Sequence, residues 1–357
     1  MKNMSKQFKS NLYTYGMIVL FYIIMQILVS TNVLSKHLGG LLVPVCVYTI
    51  MAVSLNLTVG ILGELSLGHA GFMCIGAFVS SFFSMCMKDS SMAAGLRFFI
   101  AIVLGALVTA VFGILIGIPV LRLRGDYLAI VTLAFGEIIK NIVNVLYVGK
   151  DSRGLHLSFK DVASMGLEPD GVVIIKGPQG ITGTPKDATF TIGFIILLVT
   201  IFVVTNFINS RSGRAVMAIR DNRIAAESVG INISKYKLTA FAISASIAGA
   251  AGALYSHNYA TLNAQPMTFG YNVSIMILVY VVLGGIGNIR GSVIAAALLT
   301  VLPELLRGFN DYRMLIYSIV LIVMMIVNSS PKFKDIKEKY SIKRYIATKK
   351  QPKKEEA

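Results

Sequence analysis

Three charged or hydrogen-bonding side chains stand close together in a glycine-rich segment between two long apolar runs. They are Glu64, Ser66 and His69, in the sequence GELSLGH. Such a segment cannot form a comfortable continuous helix, and non-helical backbone at membrane depth is tolerated only where protein or water surrounds it. Its free backbone N–H and C=O groups would suit the charged ends of a zwitterionic solute. The segment is predicted either to line a solute path or to make a tight turn outside the membrane.

A second polar group interrupts another apolar run. Glu137 and Lys140 are three residues apart and, with Asn141 and Asn144, form a stripe on one face of a helix. A charge at the centre of a bilayer costs at least about 2.5–3.5 kcal/mol, so the stripe should face protein or water. It is predicted either to line the solute path or to hold a Glu–Lys bridge between helices. The candidate residues for the path are Glu64, Ser66, His69, Thr132, Glu137 and Asn141.

No pattern of residues indicates catalysis or a metal site. The sequence contains no G-x-x-x-x-G-K-[ST] phosphate loop, no H-E-x-x-H and no G-x-S-x-G. Its three cysteines, Cys46, Cys74 and Cys86, lie in or beside apolar runs without metal-like spacing and are predicted to be small buried hydrophobic residues. The chain is therefore predicted not to be an enzyme and to bind no cofactor itself. If ATP drives its activity, another chain must hydrolyse it.

Composition places these residues in a membrane protein. Hydrophobic residues make up 55% of the 357 residues, charged residues make up 14%, and the mean hydropathy is +0.73. These values are far too apolar for a soluble chain of this length. Although the net charge is +16, ten of the 33 basic residues follow Pro331, and basic residues beside apolar spans mark the cytoplasmic membrane surface. We therefore expect contact with membrane lipid and no nucleic-acid binding.

The apolar runs predict an all-α polytopic fold with about ten transmembrane helices. The predicted spans are about Tyr13–Val33, Leu38–Val59, a helix from after Gly71 to Met87, Phe98–Ile118, Tyr127–Val148, Thr189–Ile208, Tyr236–His257, Phe269–Ile286, Val293–Leu306 and Tyr312–Asn328. A signal peptide is the alternative interpretation of the first run, but no convincing small-residue cleavage site follows it.

Basic residues are concentrated in the segments that lie inside when the N-terminus is cytoplasmic, which predicts cytoplasmic termini. The predicted parts are a cytoplasmic N-terminus (1–12), a transmembrane domain (13–330) and a basic cytoplasmic tail (331–357). Within the transmembrane domain, residues 149–187 are predicted to form an external loop, and residues 211–235 are predicted to form cytoplasmic helices. A loop this long is predicted either to contact an external partner or to be a flexible connector.

The polar stretch Ser212–Lys237 is predicted to dock a soluble partner on the cytoplasmic side. Its apolar positions recur at intervals of three and four residues, which predicts one or two short amphipathic helices. They should break near Asp221-Asn222 and stop at Gly230. The helix that follows contains 11 Ala, Gly or Ser among its 14 residues from Ala240 to Ala253. Such a helix can pack closely against its neighbours, either to transmit movement from the docking stretch or as static packing.

Four ordered stretches resemble the branched-chain amino acid ABC transporter permeases of the LivM subfamily. They are NLTVGILGELSLGHAGFMCIGAF (56–78), GDYLAIVTLAFGEIIKNIV (125–143), GRAVMAIRDNRIAAESVGINISKYKLTAFAISASIAGAAGALYS (213–256) and LGGIGNIRGSVIAAALLTVLPELLR (283–307). The docking stretch is similar to the importer motif E-A-A-x-x-x-G through Ala225, Ala226 and Gly230, although Ile224 replaces its Glu. The resemblance implies ATPase-coupling roles for Gly213, Arg214, Ala215, Arg220, Ala225, Ala226, Glu227 and Gly230.

The resemblance also implies an importer of several chains in a bacterial plasma membrane. This chain would pair with a second, homologous permease subunit. Two cytoplasmic ATPase subunits, with their ATP and Mg, would drive transport, and an external substrate-binding protein would deliver leucine, isoleucine or valine. The fold would resemble the vitamin B12-type importers. Urea, short amides, other small carboxylates and, in a more distant branch, sugars are the alternative solutes. A secondary transporter that couples to ions through Glu64, His69 and Glu137 is a further alternative.

Overall fold

The computed structural model describes residues 6–31, 36–88, 90–123 and 125–329, and these are mostly helical. The chain separates into two compact units, residues 1–301 and 302–357. The predicted basic tail (331–357) and residues 1–5 of the predicted N-terminal segment lie outside the described residues. Residues 6–12, which the sequence places before the first span, belong to the first helix.

Long apolar runs give long helices, because only intrahelical hydrogen bonds satisfy a backbone in lipid. The α-helices are α1 (Lys6–Ser30), α2 (Lys36–Asn56), α3 (His69–Cys86), α4 (Ala94–Val120), α5 (Asp126–Val145), α6 (Phe190–Asn209), α7 (Arg211–Asp221), α8 (Arg223–Ser228), α9 (Ile233–Ser256), α10 (Pro266–Phe269), α11 (Tyr271–Gly284), α12 (Ile289–Leu305) and α13 (Arg313–Ser329). A π-helical turn, Leu57–Leu62, continues α2. In the second unit a 3₁₀ stretch, Leu306–Tyr312, leads into α13.

The prediction of a polytopic helical membrane protein is confirmed. Among the described residues, eight helices are long and apolar enough to cross a membrane, and the shorter apolar helices Ile18–Ser30 and Met314–Ile326 coincide with the first and tenth predicted spans. Helix α12, which corresponds to the ninth predicted span, begins at Ile289, four residues before the predicted start. The predicted end of the fifth span at Val148 is wrong, because α5 stops at Val145 and the chain turns into a strand.

The predicted external loop is folded, and here the all-α prediction is incomplete. Strands β1 (Tyr147–Asp151), β2 (Gly154–Ser158) and β3 (Val172–Lys176) form an antiparallel sheet in the order β2-β1-β3. Strand β4 (Ile181–Thr182) pairs with β5 (Thr261–Leu262), which follows α9. An ion pair of 2.9 Å between Arg97 and Asp187 ties the start of α4 to the end of this region.

Small residues let α9 sit in direct backbone contact with α3 and α4. A Cβ atom at Gly76 of α3 would lie 2.2 Å from the carbonyl oxygen of Gly249, and one at Gly252 would lie 2.1 Å from that of Met73. Real Cβ atoms essentially never come this close to backbone, so these glycines fix the spacing of the helices. The predicted close packing of the seventh span is confirmed. Helices α2, α3 and α9 are the most buried spans of the first unit.

Candidate functional site

Two short helices, α7 and α8, form the predicted docking stretch. Ser210 caps α7 by accepting a hydrogen bond from the Gly213 amide (3.1 Å), and Asn222 caps α8 by accepting one from the Ala225 amide (3.0 Å). Asn222 has an extended backbone, which separates the two helices, and Gly230 ends the stretch with a φ of +83°. The prediction of one or two short helices with a break near Asp221-Asn222 and a stop at Gly230 is therefore confirmed, and the structure has two helices.

The docking stretch has one buried face and one exposed face. Ile219, Ala226 and Ile233 form a small buried cluster, against which Ile231 and Tyr236 pack. By contrast, Ile224 is 81% exposed and Val229 is 75% exposed. Of the predicted coupling residues, the buried ones are Gly213 and Ala226, the half-buried one is Ala215, and the exposed ones are Arg214, Arg220, Ala225, Glu227 and Gly230.

Two polar contacts join the docking stretch to the glycine-rich segment. The Arg220 guanidinium donates a hydrogen bond of 2.8 Å to the carbonyl oxygen of Gly60, in the π-helical turn. The Lys237 ammonium, at the start of α9, forms an ion pair with Glu64. The Glu64 side chain is only 15% exposed and that of Lys237 only 7%, so each charge depends on the other. These two contacts link α7 and the start of α9 to the chain between α2 and α3.

His69 lies at the centre of a buried network of hydroxyl groups. Its Nε2 atom is 2.9 Å from the Ser244 Oγ of α9 and 3.4 Å from the Thr58 Oγ1 of the π-helical turn. Ser54 and Ser244 also bond reciprocally, each hydroxyl donating to the other residue's carbonyl oxygen at 2.6 and 2.7 Å. The network joins α2, the π-helical turn, α3 and α9 in the interior of the first unit.

The glycine-rich segment also forms a hydrogen bond with α5. Thr132 of α5 accepts a hydrogen bond of 3.0 Å from the Leu67 amide and donates one to the carbonyl oxygen of Ala129. Ser66 is buried and lies 3.5 Å from the Nδ1 atom of His69. The structure thus brings Ser66, His69 and Thr132 around one stretch of non-helical backbone. The predicted broken helix is confirmed, whereas its role in a solute path stays a prediction.

The polar stripe of α5 is arranged differently from the predicted bridge between helices. Glu137 and Lys140 pair with each other within α5, because three residues bring side chains to the same helix face. Glu137 also accepts a hydrogen bond of 2.8 Å from the Tyr271 amide at the start of α11. Asn144 donates to the carbonyl oxygen of Ala264 (2.9 Å), and Asn141 is exposed. Glu137 and Asn141 are therefore not part of the network around His69.

Three residues important to this arrangement were not among the predicted site residues. In the sequence, Lys237 stands out only as the end of the docking stretch, and Ser244 only as one of the small residues between Ala240 and Ala253. Asn56 fastens α2 to the region around α12, since its amide donates to Ser292 (2.9 Å) and accepts from the Gly287 amide (2.8 Å). The isolated charge of Lys237 beside an apolar span was the available signal, because a buried lysine needs an acidic partner.

Comparison with known proteins gives consistent similarities. Residues 37–327 match the family model described as branched-chain amino acid transport system / permease component. The chain is 36% identical over 290 residues to the high-affinity branched-chain amino acid transport system permease protein LivM of Salmonella typhimurium, and 35% identical over 293 residues to that of Escherichia coli. Each alignment covers 78% of this chain and 66% of the relative, so the chain spans just under two thirds of their length.

A more distant relative is a permease that is named for fructose and not for branched-chain amino acids. The fructose import permease protein FruG of Bifidobacterium longum is 23% identical over 317 residues, covering 87% of each chain. No solved structure matches the chain. The predicted likeness to vitamin B12-type importers therefore stays a prediction.

Proposed function

The chain belongs to the family of permease components of branched-chain amino acid transport systems, and we propose from this premise that it forms the membrane path of an ATP-driven importer of leucine, isoleucine and valine. The partners are a second homologous permease subunit, two cytoplasmic ATPase subunits that hold ATP and Mg, and an external substrate-binding protein. The membrane is the bacterial plasma membrane, with both termini in the cytoplasm.

The observation that carries this proposal is the construction of α7 and α8. Their buried face anchors them to α9, while Ile224 and Val229 on the outer face are exposed to a degree that a partner surface would explain. Arg220 and Lys237 connect the same stretch to the segment that carries Glu64 and His69. A partner that grips α7 and α8 can therefore shift the backbone in the core of the bundle.

The proposed cycle follows from these connections. ATP binding closes the two ATPases, which displace α7 and α8. Helix α9 begins three residues after Gly230 and moves with them. Because α9 is in backbone contact with α3 and α4, the displacement reaches the bundle, and the path switches from inward- to outward-facing. ATP hydrolysis then resets the arrangement.

Substitution of the exposed apolar face tests the coupling. In Ile224→Asp and Val229→Asp we expect a fall in uptake of about tenfold or more, because a charge is placed where an apolar contact is lost. Ile224→Leu keeps the surface apolar and is the control. Gly230→Arg and Ala226→Glu also test the docking stretch, but Gly230 has a positive φ and Ala226 is buried, so both strain the fold itself. Normal uptake by both Asp variants at wild-type membrane levels would refute the coupling role.

Uptake of labelled leucine, isoleucine, valine and urea by cells lacking and regaining the gene tests the solute. We expect loss of the three amino acids, sensitive to ATP depletion but not to collapse of the proton gradient. Loss of urea uptake alone would support the same kind of ATP-driven importer but would identify urea as its solute. Uptake that survives ATP depletion but fails without the gradient would favour the ion-coupled alternative.

A further inference from the structure

A polar cavity lies where the docking stretch meets the glycine-rich segment. Its volume is about 290 Å³, and its charged lining consists of Glu64, Arg220, Arg223 and Lys237. Gly125, which precedes α5, closes one side. The cavity therefore touches both docking helices, the segment before α3, and the starts of α5 and α9.

The charges around the cavity are not balanced. Lys237 is paired with Glu64, and Arg220 is paired with Asp221 at 3.0 Å. The Arg223 side chain is half-buried and makes no hydrogen bond or ion pair with any residue that the structure describes. A guanidinium at a cavity without an internal partner favours an anion, and its planar fork matches the two oxygens of a carboxylate.

The neighbouring surface indicates where that carboxylate comes from. Ile224 follows Arg223 on α8, and Val229 lies just beyond the helix, both largely exposed. A free anion would fill the cavity but leave this apolar surface in water, whereas a protein partner covers both. An apolar contact beside a cationic cavity fits a partner surface that combines apolar side chains with one acidic residue.

We infer that an Asp or Glu side chain of the ATPase subunit enters this cavity and forms a bidentate ion pair with Arg223. The inference rests on the proposed function and adds to it the chemistry of the contact. Arg223 was not among the predicted coupling residues. In this chain Ile224 stands where the importer motif has its Glu, and Arg223 supplies a charged contact of the opposite sign.

Binding measured in the assembled transporter tests the contact. The permease pair is held in lipid nanodiscs, and the Kd of the ATPase subunit that copurifies with it is measured at several NaCl concentrations. For Arg223→Gln we expect a Kd about 10- to 100-fold higher, since hydrogen bonds to charged groups contribute about 1.5–3 kcal/mol. The dependence of Kd on salt should also weaken, because one screened attraction is lost.

Arg122→Gln is the matched control, because Arg122 is also basic but is exposed and does not line the cavity. It should leave the Kd within about twofold of wild type. Thermal melting of each variant excludes a folding defect. If the ATPase binds the wild-type permease normally and its Kd for Arg223→Gln is unchanged, the inference about Arg223 is wrong while the proposed function stands. Failure of the ATPase to bind the wild type would instead overturn the proposed function.

Two further measurements identify the anion. Among ATPase variants with single acidic residues changed to Lys, one should restore binding to Arg223→Glu, and restoration by none would contradict the inference. Inorganic phosphate added to the permease alone tests for a free anion. If phosphate raises the Tm of the wild type but not of Arg223→Gln while the ATPase Kd does not depend on Arg223, the cavity is a free-anion site and the inference is wrong.

Discussion

Burial decides how much a single ion pair contributes to the stability of this protein. The Glu64–Lys237 pair is largely withdrawn from solvent, whereas in the Arg153–Glu168 pair of the strand region the arginine side chain is 71% exposed. Exposed pairs contribute little, because water screens the charges and the long side chains lose freedom. Removing one partner of a buried pair leaves the other charge without compensation. The two pairs should therefore respond very differently to the same substitution.

The substitution Glu64→Gln should destabilise the folded chain by about 3–5 kcal/mol, because it leaves the Lys237 ammonium buried and unpaired. Glu168→Gln should cost about 1 kcal/mol or less. Thermal melting in detergent, with the folded fraction followed by gel filtration, measures both. The double variant Glu64→Gln, Lys237→Met removes both charges and should recover much of the loss. Equal melting temperatures for Glu64→Gln and wild type would show that the pair is dispensable.

At the scale of elements, the centre of helix α9 packs backbone against backbone on α3 and α4. Ala, Gly and Ser at its centre leave little side-chain bulk between α9 and its neighbours. Protein interiors do not compress, so an added methyl group must push whole helices apart. The stability of the bundle therefore depends on a few glycines, whose lack of a side chain allows the helices to approach closely.

Gly252→Ala should destabilise the chain by about 1–3 kcal/mol, because its Cβ would lie 2.1 Å from the Met73 carbonyl oxygen. Gly95→Ala, in the first turn of α4, is the control. A Cβ there meets nothing within 4 Å, so this change should be neutral or stabilise by up to about 1 kcal/mol. Melting temperatures of the two variants, together with uptake, provide the comparison. Equal effects of the two substitutions would contradict the close-contact interpretation.

The turn between strands β1 and β2 is held by the Asp151 carboxylate, which accepts hydrogen bonds from the amides of Arg153 and Gly154. Desolvation raises the pKa of Asp151, but hydrogen bonds from the amides of Arg153 and Glu168 and the nearby His156 outweigh it and hold the pKa below its usual value. A depressed pKa in the folded state means that the contribution of Asp151 to stability is complete above the unfolded value of about 3.9. It is lost as the pH falls through the folded pKa.

The amides of Arg153 and Gly154, which donate to Asp151, should therefore lose protection from hydrogen exchange as the pH falls below about 4, after correction for intrinsic exchange rates. Asp151→Asn should show lower protection at neutral pH and a weaker dependence on pH. Asp170→Asn, at an exposed position of the same region, should behave like the wild type. An Asp151→Asn variant with wild-type pH dependence would assign the effect to another group.

On the scale of the whole molecule, the folded strand region and the docking helices should lie on opposite sides of the membrane. Single cysteines at Lys160 and Lys235, both exposed, test this arrangement in a Cys86→Ser background, since Cys46 and Cys74 are buried. An impermeant maleimide should label Lys160→Cys in intact cells and Lys235→Cys only after the membrane is opened. Labelling of both from outside would refute the predicted topology.

Much of this architecture could be predicted from sequence, because a run of about 20 apolar residues indicates a membrane helix without any knowledge of its neighbours. The break between α7 and α8 was also visible locally, since Asn222 is a good helix cap. Contacts between residues that are far apart in the sequence could not be predicted. Glu64 and Lys237 are 173 residues apart, and nothing in either surrounding sequence identifies the other. The strands were missed because five-residue segments beside glycines resemble an ordinary loop.

The close approach of Gly76 and Gly249 limits how this protein can evolve. A Cβ at Gly76 meets the Gly249 backbone, and one at Gly249 meets the Thr109 side chain at 2.4 Å and the Gly105 carbonyl oxygen at 2.8 Å. No single codon change can enlarge either residue without moving a helix. A lineage could leave this arrangement only by first widening the spacing of α3, α4 and α9 through changes elsewhere. The centre of the bundle is thus closed to gradual drift, while the exposed residues of α8 and of the strand region can be replaced without moving a helix.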